Sequence, residues 1–296
     1  ANIGHIPFYI AGGSVFSCIL KNDKYYDIDV ANSDPKIVYA ISNQQVIKSI
    51  NGGQNWASTS LTNLTYTGTA YDIAVSTSNP NIVVARWEDK IYRTTDGGTS
   101  WNIVQNGLGT HRIWGVSSVN SEMLDWSSTN SNVVYSVSTN NNNTVIVHRS
   151  SNSGATFSQI ATLTLDANAN GQVVAWAKLM LPSNNTKSIY VAVGSGVTAF
   201  EQKAAHLYKL NATTGALENL KTNMISGIGD KFNHDPILFW GDICMDRTNE
   251  NILVYGSDGN TQVHVSTDNG TTFTDSSSHG RTVSRTGNPV TKTSIK

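Results

Sequence analysis

Apolar residues come in short runs separated by polar turns, and the runs return in the same order along the chain. The first set reads Tyr26-Asp27-Ile28-Asp29-Val30, a turn through Asn32-Ser33-Asp34-Pro35, Ile37-Val38-Tyr39-Ala40, a short reversal, Val46-Ile47-Lys48-Ser49, a polar box and Trp56. Tyr71-Asp72-Ile73-Ala74-Val75, the Asn79-Pro80 turn and Ile82-Val83-Val84-Ala85 repeat it at a constant offset of 45 residues. Runs this short, bounded by Asn, Pro and Gly, predict strands. A register kept across both turn and box predicts a repeat. Looser copies follow at Met123-Leu124-Asp125-Trp126 with Val133-Val134-Tyr135, at Val173-Val174-Ala175-Trp176 with Ile189-Tyr190-Val191-Ala192, and at Asp242-Ile243-Cys244-Met245 with Ile252-Leu253-Val254-Tyr255. Each copy supplies four short strands joined by tight turns.

The box itself recurs in four clear copies. In order they are Ser49, Asn51, Gly53 and Trp56; Thr94, Asp96, Gly98 and Trp101; Ser150, Asn152, Gly154 and Phe157; and Ser266, Asp268, Gly270 and Phe273. Asn211-Ala212-Thr213-Thr214-Gly215 reads as a degraded copy. Asp or Asn turns back to accept nearby backbone N–H groups, Gly supplies the positive φ of a tight hairpin, and the aromatic plugs the turn into the core. This pattern resembles the Asp-box, or BNR repeat, of sialidases, glycoside hydrolase family 74 xyloglucanases, sortilin-type receptors and photosystem assembly factors. In those families the box is structural and peripheral, so it points to a fold more firmly than to an activity.

The resemblance implies an all-β β-propeller of four-stranded blades, here over approximately 23–65, 66–110, 111–165, 170–222 and 235–277, within one domain spanning 1–296. Residues 1–22 and 278–296 either close the ring as a sixth blade or serve as linkers in a longer array. Insertions at 107–120, 163–172, 195–206 and 222–238 lengthen the loops between strands, where binding usually resides.

With 20 basic and 21 acidic residues and no basic stripe, nucleic acid is a poor partner. No apolar run approaches the roughly 20 residues that cross a bilayer. The charged fraction of 14% and the abundance of Ser, Thr and Asn suit a secreted or cell-surface β protein. Cys18 and Cys244 are either two buried small hydrophobes or a disulfide joining the first and last blades. Neither has metal-ligand spacing, and no metal or cofactor is expected.

Aligning the repeats puts Asp27, Asp72 and Asp242 at the start of the innermost strand. Carboxylates converging there would raise one another's pKa and serve as acid and base or bind a cation, unless each caps a turn or bonds its own neighbour. Asp27, Asp242 and Asp258 are the catalytic candidates. His234, Asp235 and Trp240, ahead of the fifth blade, resemble a His-Asp-containing blade of secreted bacterial Asp-box proteins. With Trp114 and Trp87 they form the candidate ligand-binding set, although Trp in a blade ordinarily packs in the core.

Two enzyme readings meet obstacles. The sialidase Arg-Ile-Pro motif is approached only by His111-Arg112-Ile113-Trp114, which lacks the proline. The family 74 aspartate of the first blade falls near Asn43, and an amide cannot act as a general base. The expected function is therefore a non-catalytic module that recognises a polysaccharide, a glycoprotein glycan or a protein surface. A xyloglucanase-like glycoside hydrolase, or a fragment of one, and a scaffold domain of an exported adhesin are the alternatives.

Overall fold

The computed structural model of the chain describes residues 5–10, 14–19, 25–42, 44–62, 71–108, 123–139, 144–164, 173–183, 187–198, 201–222, 242–256, 263–270, 272 and 274–275. A hairpin, β1 (His5–Ile10) and β2 (Ser14–Ile19), precedes five antiparallel sheets of four strands each. Sheet 1 runs through β3 (Tyr25–Val30), β4 (Val38–Ser42), β5 (Val46–Ser49) and β6 (Ala57–Ser58). Sheet 2 runs through β7 (Tyr71–Val75), β8 (Val83–Trp87), β9 (Lys90–Thr94) and β10 (Asn102–Gln105). Sheet 3 comprises β11 (Leu124–Trp126), β12 (Val134–Thr139), β13 (Thr144–Ser150) and β14 (Ser158–Thr164). Sheet 4 has the longest strands, β15 (Val173–Met180), β16 (Ser188–Thr198), β17 (Glu201–Asn211) and β18 (Leu217–Thr222). Sheet 5 ends the series with β19 (Asp242–Met245), β20 (Leu253–Gly256), β21 (Val263–Ser266) and β22 (Thr274–Asp275). In every sheet the strands pair in chain order, so each is a meander.

Every box turn is held by the same bonds. The hydroxyl of Ser49, Thr94, Ser150 or Ser266 accepts the N–H of the box glycine at 2.8–2.9 Å and donates to Oδ1 of Asn51, Asp96, Asn152 or Asp268 at 2.8–3.0 Å. That Oδ1 also accepts the N–H of Asn55, Ser100, Thr156 or Thr272 at 2.8–2.9 Å. One small hydroxyl and one Asx side chain thus satisfy several turn donors without solvent. The degraded copy folds differently: Asn211 Oδ1 accepts Thr213 N and Thr214 N, and Gly215 N donates to the Asn211 carbonyl.

Consecutive sheets are stitched by residues at equivalent positions. On the second strand, the Tyr39 hydroxyl donates to Pro80 O at 3.0 Å, the Tyr135 hydroxyl donates to Ala212 O at 2.7 Å, and the Tyr190 hydroxyl accepts from Asn269 Nδ2 at 2.9 Å. On the third strand, Lys48 Nζ donates to Gly97 O and Arg93 Nε to Ser153 O, the residue before the box glycine in the next sheet. Apolar clusters fill the gaps. Tyr39, Ile41, Ile73, Val83 and Ala85 join sheets 1 and 2, and Val84, Ile91, Leu124, Trp126 and Val134 join sheets 2 and 3. Val137, Val147, Leu179, Val191 and Leu210 join sheets 3 and 4.

The two ends of these sheets differ in regularity. At one end the first-to-second-strand connections 31–37, 76–82, 127–133, 181–187 and 246–252 all contain seven residues, and the box turns lie beside them. At the other end the sheet-to-sheet links 59–70, 106–123, 165–172 and 223–241 range from eight to nineteen residues. Three insertions, 107–120, 163–172 and 222–238, fall largely in those links, and 195–206 falls at the β16–β17 hairpin on the same end. Length is constant in the first-to-second-strand connections, and the links carry the variation.

Candidate functional site

The register of the first two strands confirms the alignment of the repeats. Asp27 pairs with Ile41, Asp72 with Arg86 and Asp242 with Gly256, while Lys178, paired with Ala192, holds the same position in sheet 4. Asp27 and Asp72 do not stand free at that position. Asp27 Oδ2 accepts Ile73 N at 2.9 Å, and Asp72 Oδ2 accepts Met123 N and Leu124 N at 2.5 and 2.7 Å. Asp29 repeats the device two residues on, its Oδ2 accepting Val75 N at 2.6 Å. Each carboxylate reaches sideways to the first strand of the next sheet. Asp27, a catalytic candidate by sequence, is thereby a brace between sheets, and it also bonds the backbone of its own neighbour Ile28, the other role offered for it. The reason is geometric: the first strand leads its sheet, so its alternate side chains meet the neighbouring backbone.

These braces sit in a buried ionic cluster. Burial raises the Asp27 pKa, and its carboxyl hydrogen-bonds the Asp72 carboxyl, which requires a shared proton. Arg86 is fully buried beside them; it donates through Nε to Glu88 O at 3.3 Å and through Nη1 to Val137 O. Burial lowers the Arg86 pKa to about 10 against the pull of Asp72, Glu88 and Asp89, so the guanidinium stays charged at neutral pH. Across the interface His148 is buried, and its pKa is depressed to about 4 by burial and by the Arg86 charge. Its ring is neutral at pH 7.

A second group brings sheets 1, 3 and 5 together. Asp125 occupies in sheet 3 the position of Asp29 in sheet 1, pairing with Tyr135 as Asp29 pairs with Tyr39. Burial, followed by the Asp125 and Asp27 charges, lifts the Asp29 pKa to about 7 against the hydrogen bonds from Val75 N and Val30 N. Asp125 Oδ2 in turn accepts from Arg247 Nη2, just after β19, at 3.1 Å. The first strands of alternate sheets therefore converge. A buried carboxyl with its pKa raised to about 7 thus lies beside an arginine-paired carboxylate, an arrangement of the kind found where protons are exchanged.

Among the described residues, no group of three His, Cys, Asp or Glu side chains is arranged to hold a metal ion. Trp87, expected to face a ligand, is instead 4% exposed and lies in the core between sheets 1 and 2. Its position on the second strand sends it to the sheet interface. Cys244, for which burial was one expectation, is exposed, and its Sγ lies 3.7 Å from the Val254 carbonyl oxygen. Asp242 is described only as a strand residue, and Asp258, His234, Asp235, Trp240, Trp114 and Asn43 lie outside the described residues. Sequence reasoning missed Asp29, Asp125, Arg86 and His148. Only Asp29 and Asp125 carried a signal, their equivalence in the first and third repeats. An open groove of about 420 Å3 lies at the box end, where Lys48, Ile50, Trp56 and Ser58 face Thr99 of the next box.

The meandering sheets, their sideways stitching and the convergence of first strands define a β-propeller-type fold, and solved structures agree. The chain is similar to the GH74 xyloglucanase from Xanthomonas campestris at TM-score 0.59 and 15% identity, covering 85% of this chain and 38% of that one. It is similar to the GH74 enzyme of Niastella koreensis at TM-score 0.55 and 17% identity, with 85% and 38% covered. It also resembles the Dos1 propeller at TM-score 0.50 and 12% identity, with 83% and 56% covered. The chain thus spans well under half the length of the two GH74 structures. No family model and no curated protein sequence matches it.

Proposed function

We propose that this chain is an Asp-box propeller module, secreted or held at a cell surface, that recognises a glycan on its link end and does not hydrolyse it. The observation that carries the reading is the contrast between the ends, with seven residues in every first-to-second-strand connection and eight to nineteen in the links. Function on a repeat scaffold collects where length is free to change. His234, Asp235 and Trp240 belong to the 223–241 link, and Trp114 to the 106–123 link. They supply an aromatic platform and polar partners for sugar rings. The engagement of Asp27 and Asp72 as braces supports a binding role over a catalytic one. A glycan array on the purified chain, run beside hydrolysis assays on xyloglucan, tests the proposal. Binding that Trp240→Ala abolishes, with no released sugar, supports it; absence of glycan binding overturns it.

One observation favours a second reading, a glycoside hydrolase. Asp29, with its pKa raised to about 7, would act as general acid, and Asp125, kept ionised by Arg247, as base. This reading predicts xyloglucan hydrolysis that Asp29→Asn and Asp125→Asn each reduce at least about a hundredfold. Unchanged release by both variants would sink it.

A further inference from the structure

Four Asn-Gly steps occur in the chain, at Asn51, Asn106, Asn170 and Asn269, of which Asn170 lies outside the described residues. The backbone nitrogen of a glycine can attack the side-chain Cγ of a preceding asparagine, because the two are tethered in reach and no side chain hinders the approach. That nitrogen must first give up its proton and swing toward the side chain, so a hydrogen bond donated by the glycine N–H opposes the attack. Gly52 N donates to Lys36 O at 2.9 Å, and Asn51 Oδ1 accepts from Ser49 Oγ and Asn55 N. Gly270 N donates to Ser266 Oγ at 2.8 Å, and Asn269 Nδ2 donates to the Tyr190 hydroxyl at 2.9 Å. Both steps inside box turns are therefore held at the attacking amide and at the side chain.

We propose that Asn106 is a site of spontaneous deamidation, at which the folded chain modifies itself while Asn51 and Asn269 are spared. Asn106 and Gly107 are both exposed, immediately after β10. Hydrogen bonds fall on either side of the step: Gln105 Nε2 donates to Asn106 O at 3.4 Å, and Leu108 N donates to Asp89 O at 3.0 Å. Among the described residues none engages the Gly107 N–H or the Asn106 side-chain amide. Gly107 has φ of 69°, and a Cβ placed on it would meet nothing within 4 Å, so the step has room to cyclise. In the reaction Gly107 N bonds to Asn106 Cγ, the Cγ–Nδ2 bond breaks, and Nδ2 leaves as ammonia with the proton given up by the amide. Water then opens the cyclic succinimide at either carbonyl, giving aspartate or isoaspartate. Either product puts a new carboxylate on the 106–123 link, and isoaspartate also routes the backbone through the side-chain carbon.

Incubation of the folded chain in mildly alkaline buffer, beside a sample unfolded in guanidinium chloride, tests the assignment. Peptide mass spectrometry follows each Asn-Gly step, with chromatography separating aspartate from isoaspartate. In the folded chain Asn106 should convert at least about tenfold faster than Asn51 and Asn269, and on unfolding the three rates should converge. Gly107→Ala, with the far-ultraviolet dichroism of the sheets retained, should slow Asn106 at least about tenfold, since the methyl hinders the attacking nitrogen. Conversion of Asn51 or Asn269 in the folded chain as fast as that of Asn106 would overturn the proposal. So would an Asn106 rate that stays far lower in the folded chain than in the unfolded one, or one that is indifferent to Gly107→Ala.

Discussion

In three of the turns that close these sheets the glycine is required twice. Gly98, Gly154 and Gly215 have φ of 92°, 76° and 71°, and a Cβ at each would fall 2.7, 2.6 and 2.2 Å from Thr59, Val84 and Ile160 of the preceding sheet. Gly215 keeps this role in the degraded copy, where the serine anchor is gone. Gly215→Ala should destabilise the fold by about 3 kcal/mol, since the left-handed backbone strain adds to a clash with the Ile160 carbonyl. Gly52→Ala, at φ 69° with open space around the new methyl, should cost about 1 kcal/mol. Urea unfolding of the pair checks the difference. Asp29 gives a second prediction at this scale. Its folded pKa, about 7, lies above the ordinary value of about 4, so its contribution to stability is complete below about pH 4 and is lost as pH rises toward 7. Asp29→Asn should therefore flatten the fall in unfolding free energy between about pH 4 and pH 7. An unchanged slope would show that Asp29 does not hold the extra proton.

Strands in this chain gain little from isolated pairing and much from the neighbouring sheet. Asp72 illustrates the dependence: it satisfies two N–H groups of sheet 3 and faces the buried charge of Arg86. Asp72→Ala should cost about 3–5 kcal/mol, because it strands both donors and removes the foremost of the carboxylates that offset the buried guanidinium. Adding Arg86→Met should recover part of that loss in the double variant, which chemical denaturation can measure. Tyr135→Phe removes the bond to Ala212 O and the contact with the Arg149 side chain and should cost about 1–2 kcal/mol. These elements were legible in the sequence because alternating apolar positions, Asn-Pro turns and box glycines are local signals. Their intersheet partners were not legible. Nothing in the spacing of Arg93 and Ser153 says that one caps the other's carbonyl.

At the scale of the whole molecule, sheets that meet only their neighbours predict a molecule whose stability is divided among junctions. The junction between sheets 2 and 3, which holds the Arg86 cluster, should transmit damage to both neighbours. Hydrogen exchange of Asp72→Ala should show protection lost across β7–β14 before it falls in β15–β18. Loss of protection confined to β7 would contradict this. The sequence by itself determined the strands, the repeat, the turn chemistry and the alignment of Asp27, Asp72 and Asp242, all of which follow from local periodicity and backbone preference. Only the tertiary structure decided what those aligned residues do. Whether a first-strand aspartate stands in a channel, braces a backbone amide as Asp27 does, or keeps its proton near neutrality as Asp29 does depends on the twist between adjacent sheets. That twist is fixed by side chains packed between residues scores of positions apart, which no local pattern encodes.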